Sequence, residues 1–225
     1  MSAPDLRRPL PDDPAPALPR RTPCASTSAA YGLERLGVHR AGEFRKRTVR
    51  LISRPEPGEY TPYTVEYFDL VPGDDVLQHM ETCLRTTPEF FVALPEEVLS
   101  VPHRPGEWTV KEILQHISDD ERIYAYRTLR FARNDLTELP PFDQEVVAAH
   151  SGANDRSLAS LLDEYVTVRK STLSLFDGLP EEALTRVGTA NGNPMSVRAA
   201  AFHIAGHELH HLLSIRTNYD GPATP

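Results

Sequence analysis

The sequence predicts an all-α protein: a four-helix bundle over residues 59–221, preceded by a proline- and arginine-rich extension over residues 1–58 that is expected to be disordered or weakly structured. Three observations carry this. Four segments repeat apolar residues at the 3.6 period of a helix. No segment shows a convincing strand pattern. The 21 prolines are unevenly spread, and Pro4, Pro9, Pro11, Pro14, Pro16, Pro19 and Pro23 crowd the first 30 residues, where aliphatic side chains are few.

A chain of 225 residues with 40% hydrophobic content suits one well-packed domain. No run of 18 apolar residues exists to span a bilayer, and the charged, proline-rich start lacks the apolar core of a secretory signal. Cys24 and Cys83 make neither a metal spacing nor a disulfide framework, so free thiols in a reducing cytoplasm are expected. Residues 1–60 carry 11 Lys and Arg against 7 Asp and Glu, whereas the remainder is acidic enough to bring the whole chain to −8. An acidic body argues against a nucleic-acid surface on the folded domain.

Between the extension and the first helix, Tyr60, Tyr63, Tyr67 and Phe68 read as an extended arm laying aromatic rings on the body. After the Pro72-Gly73 turn, Asp74 is a candidate N-cap for a first helix through Val76, Leu77, Met80, Leu84, Phe90 and Phe91, with Pro88 a candidate kink. Thr109 and Glu112 form a capping-box pattern that opens a second helix through Ile113, Leu114, Ile117, Tyr124 and Phe131. Glu121 projects near the centre of its apolar face, which is unusual for a carboxylate and calls for a partner such as Arg216 or Arg198. A long connector containing Pro140-Pro141-Phe142-Asp143 leads to a third helix starting near Arg156 and stopped by Leu179-Pro180. Asn191-Gly192-Asn193-Pro194 is turn chemistry, and Ser196 is the N-cap expected for the last helix, which closes before Gly221-Pro222.

That last helix holds four of the nine histidines, at 203, 207, 210 and 211. Residues four apart sit one turn above each other, so His203/His207 and His207/His211 are both candidate chelating pairs. His207 and His211 border the apolar face beside Ile204 and Ile215, while His203 and His210 fall toward the polar side. On the second helix, His116 lies at the inner edge and is the best third donor. His79 reads as surface, and His39, His103 and His150 lie outside strong helices. Three imidazoles leave a fourth position open for water or substrate, suit Zn²⁺ or Ni²⁺, and create a site that can acidify a bound water or hold a thiolate. Asp119, Asp120 and Glu121 are nearby candidates for the second ring nitrogens, although Asp119 and Asp120 also read as solvated acids.

Two separate stretches resemble a known family. Trp108-Thr-Val-Lys-Glu-Ile-Leu-Gln-His116-Ile-Ser-Asp-Asp-Glu-Arg122, with Ala125-Tyr-Arg127 and Phe131-Ala-Arg133 after it, is similar to the second-helix signature of the DinB-like superfamily, which includes the YfiT-type proteins. Gly206-His-Glu-Leu-His-His211 resembles its final-helix motif, and Pro140-Pro-Phe-Asp-Gln144 a subgroup's connector. Where many relatives continue the last motif with Gly-Gln-Ile, this chain has Leu213-Ser214-Ile215. The resemblance runs over roughly residues 60–220 and implies a four-helix bundle holding a divalent metal on His116, His207 and His211, often as a homodimer. It leaves three functions open. The first is an enzyme that activates a low-molecular-weight thiol for transfer to an electrophile, an S-transferase in which Arg127 and Arg130 could bind acidic groups of the thiol. The second is a metal-dependent hydrolase of a small ester or amide, with Glu121 as proton shuttle. The third is a non-catalytic stress-response or dimerisation protein stabilised by metal, its fourth coordination position closed by His203 or an acid.

Overall fold

The capping box predicted at Thr109 is formed: the Thr109 hydroxyl accepts from the Glu112 N–H (3.2 Å) while the Glu112 carboxylate accepts from the Thr109 N–H (2.8 Å). Two of the four orphan donors at this helix start are satisfied reciprocally. The computed structural model describes residues 51–73 and 75–219. In chain order its helices are α1 (Val65–Phe68), α2 (Val76–Val92), α3 (Val110–Ala132), α4 (Gln144–Ala149), α5 (Leu158–Asp177) and α6 (Val197–Tyr219). The cap proposed at Asp74 and the stop at Gly221-Pro222 lie outside the described residues, as do residues 1–50. Asp75 caps α2 by accepting from the Gln78 N–H, and α2 runs through Pro88 without a break. Ser157 caps α5 through the Ser160 N–H, and Ser196 caps α6 through the Ala199 N–H, the latter as expected.

The four long helices pack in the cyclic order α2–α5–α3–α6, because α2 and α3 each pack against both α5 and α6. Helices consecutive in sequence, α2 and α3, therefore stand diagonally across the bundle. Phe91, Phe131, Phe176, Phe202 and Tyr165 fill the middle, and burying each phenylalanine contributes about 1.5–3 kcal/mol. The adjacency of α3 and α6 is what lets a residue of one meet residues of the other.

Two expectations need correction. The arm over residues 59–71 is helical rather than extended, a 3₁₀ turn at Pro62–Thr64 running into α1. Its rings do pack on the body: Tyr60 meets Phe68 edge-on at 5.0 Å, and Phe68 meets Phe202 at 6.0 Å. The second correction is a two-stranded antiparallel hairpin, β1 (Val187–Ala190) and β2 (Asn193–Ser196), paired from Val187↔Ser196 to Ala190↔Asn193. Asn191 and Gly192 close it with φ of 54° and 71°, the positive pair that a two-residue hairpin turn requires. Four-residue strands containing Gly188 and Pro194 carry no legible alternation, so the turn was visible and the strands were not. Gly188 is needed there, because a Cβ would fall 2.0 Å from Phe131 Cδ1.

The segment before the arm also docks. Ile52 is fully buried, and Arg54 donates to the carbonyls of Phe68 and Val71. Glu59 accepts from the Ser196 hydroxyl (2.7 Å) and pairs with Arg198, fastening the arm to the start of α6.

Candidate metal centre

Because α3 lies against α6, His116 of α3 meets His207 and His211 of α6. His116 Nε2 is 3.1 Å from His207 Nε2, and His211 Nε2 is 3.1 Å from the same atom. The three donor atoms all lie within 4.8 Å of one another. Imidazole–metal bonds of about 2.0–2.1 Å place ligand pairs about 2.8–3.0 Å apart at right angles and about 3.3–3.4 Å apart in a tetrahedron, so 3.1 Å suits a shared ion. Burial pushes His207 down to about 3, with Asp120 opposing it, and holds His116 below its ordinary value. His211 is held well below by burial and by the His207 and His116 rings. Neutral rings near pH 7 present lone pairs, which is the form a metal takes.

The acid that serves this cluster is Asp120, one α-helical turn beyond His116 and 4% exposed. Its Oδ2 lies 3.3 Å from His207 Nδ1 and 3.2 Å from His203 Nε2. Burial alone would raise the Asp120 carboxyl, but the facing His207 and His203 rings outweigh it and hold the group well below the usual carboxylate range. An ionised Asp120 only accepts, so His207 donates through Nδ1 and keeps its Nε2 lone pair toward His116 and His211. Asp120, His203 and His207 also form a second compact group of donor atoms. One neutral ring offers one lone pair, so that group is better described as the support of His207 than as a separate chelate.

His203 and Glu121 sit differently from the sequence expectation. His203 is buried, stacked flat on Tyr124 with centroids 3.7 Å apart, and its Nδ1 has no partner among the described residues. The apolar periodicity puts it on the polar side of the helix, but α6 has no polar side here: residues 197–209 are all buried, because α1 covers the face that would otherwise meet water. Gly206 permits this cover, since a Cβ there would lie 2.0 Å from the Tyr67 carbonyl oxygen. The Tyr67 ring then stands edge-on to His203, His207 and His210 at 5.3–5.6 Å. Glu121 has a partner, but it is Arg169, to which both of its oxygens are bonded at 2.9–3.1 Å. Arg169 also donates to Glu208 (2.8 Å), and Glu208 accepts from Thr87 and Tyr165. Of the two arginines first considered, Arg198 pairs with Glu59 and Arg216 is exposed. The face periodicity pointed Glu121 inward correctly; Arg169, buried mid-helix on α5, gave no local signal.

Beside the cluster lies a cavity of about 830 Å³. Asp120, His203 and His207 line it, as does Arg127, while His116 and His211 do not. Trp108 completes the surroundings, tilted over His116 at 4.6 Å and bonded through Nε1 to Glu145 (3.1 Å). No helix among the described residues is long and apolar enough to cross a membrane.

Comparison with known proteins agrees with this architecture. Over 143 residues the chain is 30% identical to a protein of Oceanobacillus iheyensis named a "putative metal-dependent hydrolase", a match covering 62% of this chain and 81% of that one. Among solved structures it is similar to YfiT from Bacillus subtilis, described as "a probable metal-dependent hydrolase with an unusual four-helix bundle topology", with a TM-score of 0.57 and 15% identity over 73% of this chain and 90% of that one. At that identity the likeness is one of fold. Residues 79–215, more than half of the chain and including all three clustered histidines, match the family model as well, and the chain belongs to the DinB superfamily.

Proposed function

We propose that this chain is a metal-dependent hydrolase of a small-molecule ester or amide, with a divalent ion, Zn²⁺ or Ni²⁺, held by His116, His207 and His211. The observation that carries it is the convergence of three imidazole nitrogens, His207 Nε2 standing 3.1 Å from those of both His116 and His211, beside a cavity large enough for a small substrate. An ion there supplies Lewis acidity toward a carbonyl oxygen and lowers the pKa of water. The chain's own residues do the rest. Asp120 fixes the tautomer and orientation of His207, its ionised Oδ2 accepting hydrogen bonds from His203 Nε2 and His207 Nδ1. Tyr67 and Trp108 flank the imidazoles and keep bulk water from them. Glu121 is less suited to the proton-shuttle role first considered for it, since Arg169 holds both its oxygens.

Both similar proteins carry hydrolase names and neither name mentions a thiol, so hydrolysis takes precedence over thiol transfer. The test is metal analysis of the purified protein followed by assay of 4-nitrophenyl acetate without added thiol. Turnover should be lost on chelation, restored by Zn²⁺ or Ni²⁺, and reduced at least about 100-fold by His207→Ala. Turnover that survives chelation, or that requires a thiol, would overturn the reading.

A further inference from the structure

On α3, Asp120, Tyr124 and Arg127 follow one another at i, i+4 and i+7, so they share a helix face, and all three line the cavity beside the cluster. Aromatic rings form much of its wall, among them Tyr60, Tyr63, Tyr67 and Phe142. Among the described residues Arg127 is the only cationic side chain in that lining. It is 6% exposed, and its guanidinium is flanked by the Tyr124 ring at 4.9 Å and the Phe142 ring at 5.8 Å. Its side chain makes one long hydrogen bond, 3.5 Å to the Pro140 carbonyl, and pairs with no carboxylate among the described residues. The other two buried arginines among the described residues, Arg169 and Arg198, are each bound to glutamate. The acids that line the cavity are engaged elsewhere: Asp143 caps α4, Glu145 takes the Trp108 N–H, and Asp120 takes the two histidines. A buried guanidinium without a counter-charge is unfavourable until an anion arrives, and its planar fork matches a carboxylate.

We propose that Arg127 anchors a carboxylate of the substrate, making the substrate class small aryl or alkyl carboxylates whose hydrolysable bond lies at the His207 end of the cavity. The inference rests on the hydrolase reading for that bond but not for the anion. Seven residues of helix separate Asp120 from Arg127 by about 10 Å along the axis, a span that fits a ring between carboxylate and scissile group.

The experiment uses the full chain loaded with Zn²⁺ and measures binding of benzoate and neutral benzamide by calorimetry, then turnover of 4-acetoxybenzoate and phenyl acetate. Wild type should prefer benzoate by about tenfold or more, and Arg127→Gln, which keeps a donor for the Pro140 carbonyl, should remove that preference. Arg127→Met is the second variant, and each is used only if it melts cooperatively like wild type. Dependence on Arg127 separates this subsite from direct carboxylate ligation of the ion. Equal binding of the two probes, or a preference that survives both substitutions, overturns the proposal. A preference that depends on Arg127 while neither ester is turned over upholds the anion subsite and sinks the hydrolase reading instead.

Discussion

Asp120 shows how much one side chain can set. It accepts from two imidazoles, keeps His207 in the tautomer that faces His116 and His211, and is the acid nearest the three-histidine cluster. Asp120→Asn keeps the shape but offers an amide whose NH₂ can turn toward a ring. Metal affinity should fall about 10–100-fold, read by competition with a chromogenic chelator, while the fold is retained. Unchanged affinity would mean that His207 is oriented by packing alone. Arg169 makes a different case. It sits fully buried between Glu121 and Glu208 with one positive charge for two carboxylates. Burial pushes the Glu208 carboxyl up, but the Arg169 charge, with hydrogen bonds donated by Thr87 and Tyr165, outweighs it and holds the group below its ordinary pKa. Arg169→Met leaves two buried carboxylates facing each other, and urea denaturation should show a loss of about 3–5 kcal/mol. A loss under about 1 kcal/mol would show that the neutral donors, or protonation of one glutamate, suffice without the cation.

At the level of elements, the helices differ in how well the sequence disclosed them. On α3 the apolar periodicity was readable, and it put His116 and Glu121 on inner faces where the structure has them. On α6 the same reasoning failed for His203, because a face rule assumes that one side of the helix meets water. Here α1 occupies that side, and nothing within α6 announces it except Gly206. The hairpin escaped notice because eight residues with one glycine and one proline cannot show a period of two; only its Asn191-Gly192 turn was legible. Gly206 supplies the test at this scale. In an ordinary helix interior, glycine to alanine gains about 1 kcal/mol from propensity. Here the added Cβ would meet the Tyr67 carbonyl at 2.0 Å, and backbone cannot yield as a side-chain tip does. Overpacking costs about 1–3 kcal/mol, so the clash should win. Gly206→Ala is expected to lower stability and to raise amide exchange over residues 60–71, as α1 lifts from α6 and Tyr67 leaves the histidines. A more stable protein with unchanged exchange would show that α1 is not seated on Gly206.

For the whole molecule, the cyclic order α2–α5–α3–α6 means that α3 is held from two sides, by α6 through the histidines and by α5 through a polar cluster. In that cluster Glu164 of α5 accepts from Gln115 (3.1 Å) and Arg122 (2.5 Å) of α3 and from Arg156 just before α5. Arg156 also donates to Gln115 Oε1 (2.8 Å), so the groups form one network rather than separate pairs. Burial pushes the Glu164 carboxyl up, but the bonds from Gln115, Arg122 and Arg156 outweigh it and hold the group at about 2. In the unfolded chain the same carboxyl titrates near its ordinary value, 4.5. Between those values the unfolded state binds the proton and the folded state does not, so stability must rise with pH across that window. Glu164 therefore contributes in full above about pH 5, and its contribution is lost as the pH falls through 4.5 toward 2. The slope for one proton is at most about 1.4 kcal/mol per pH unit, and lower here because the cluster is partly solvated. Glu164→Gln cannot titrate. Its urea midpoint should lie below that of the wild type at pH 7 and converge on it as the pH is lowered toward 3. Curves that stay parallel from pH 7 to pH 3 would mean that the α3–α5 junction is held by its apolar side chains, with the charged network contributing nothing that depends on pH.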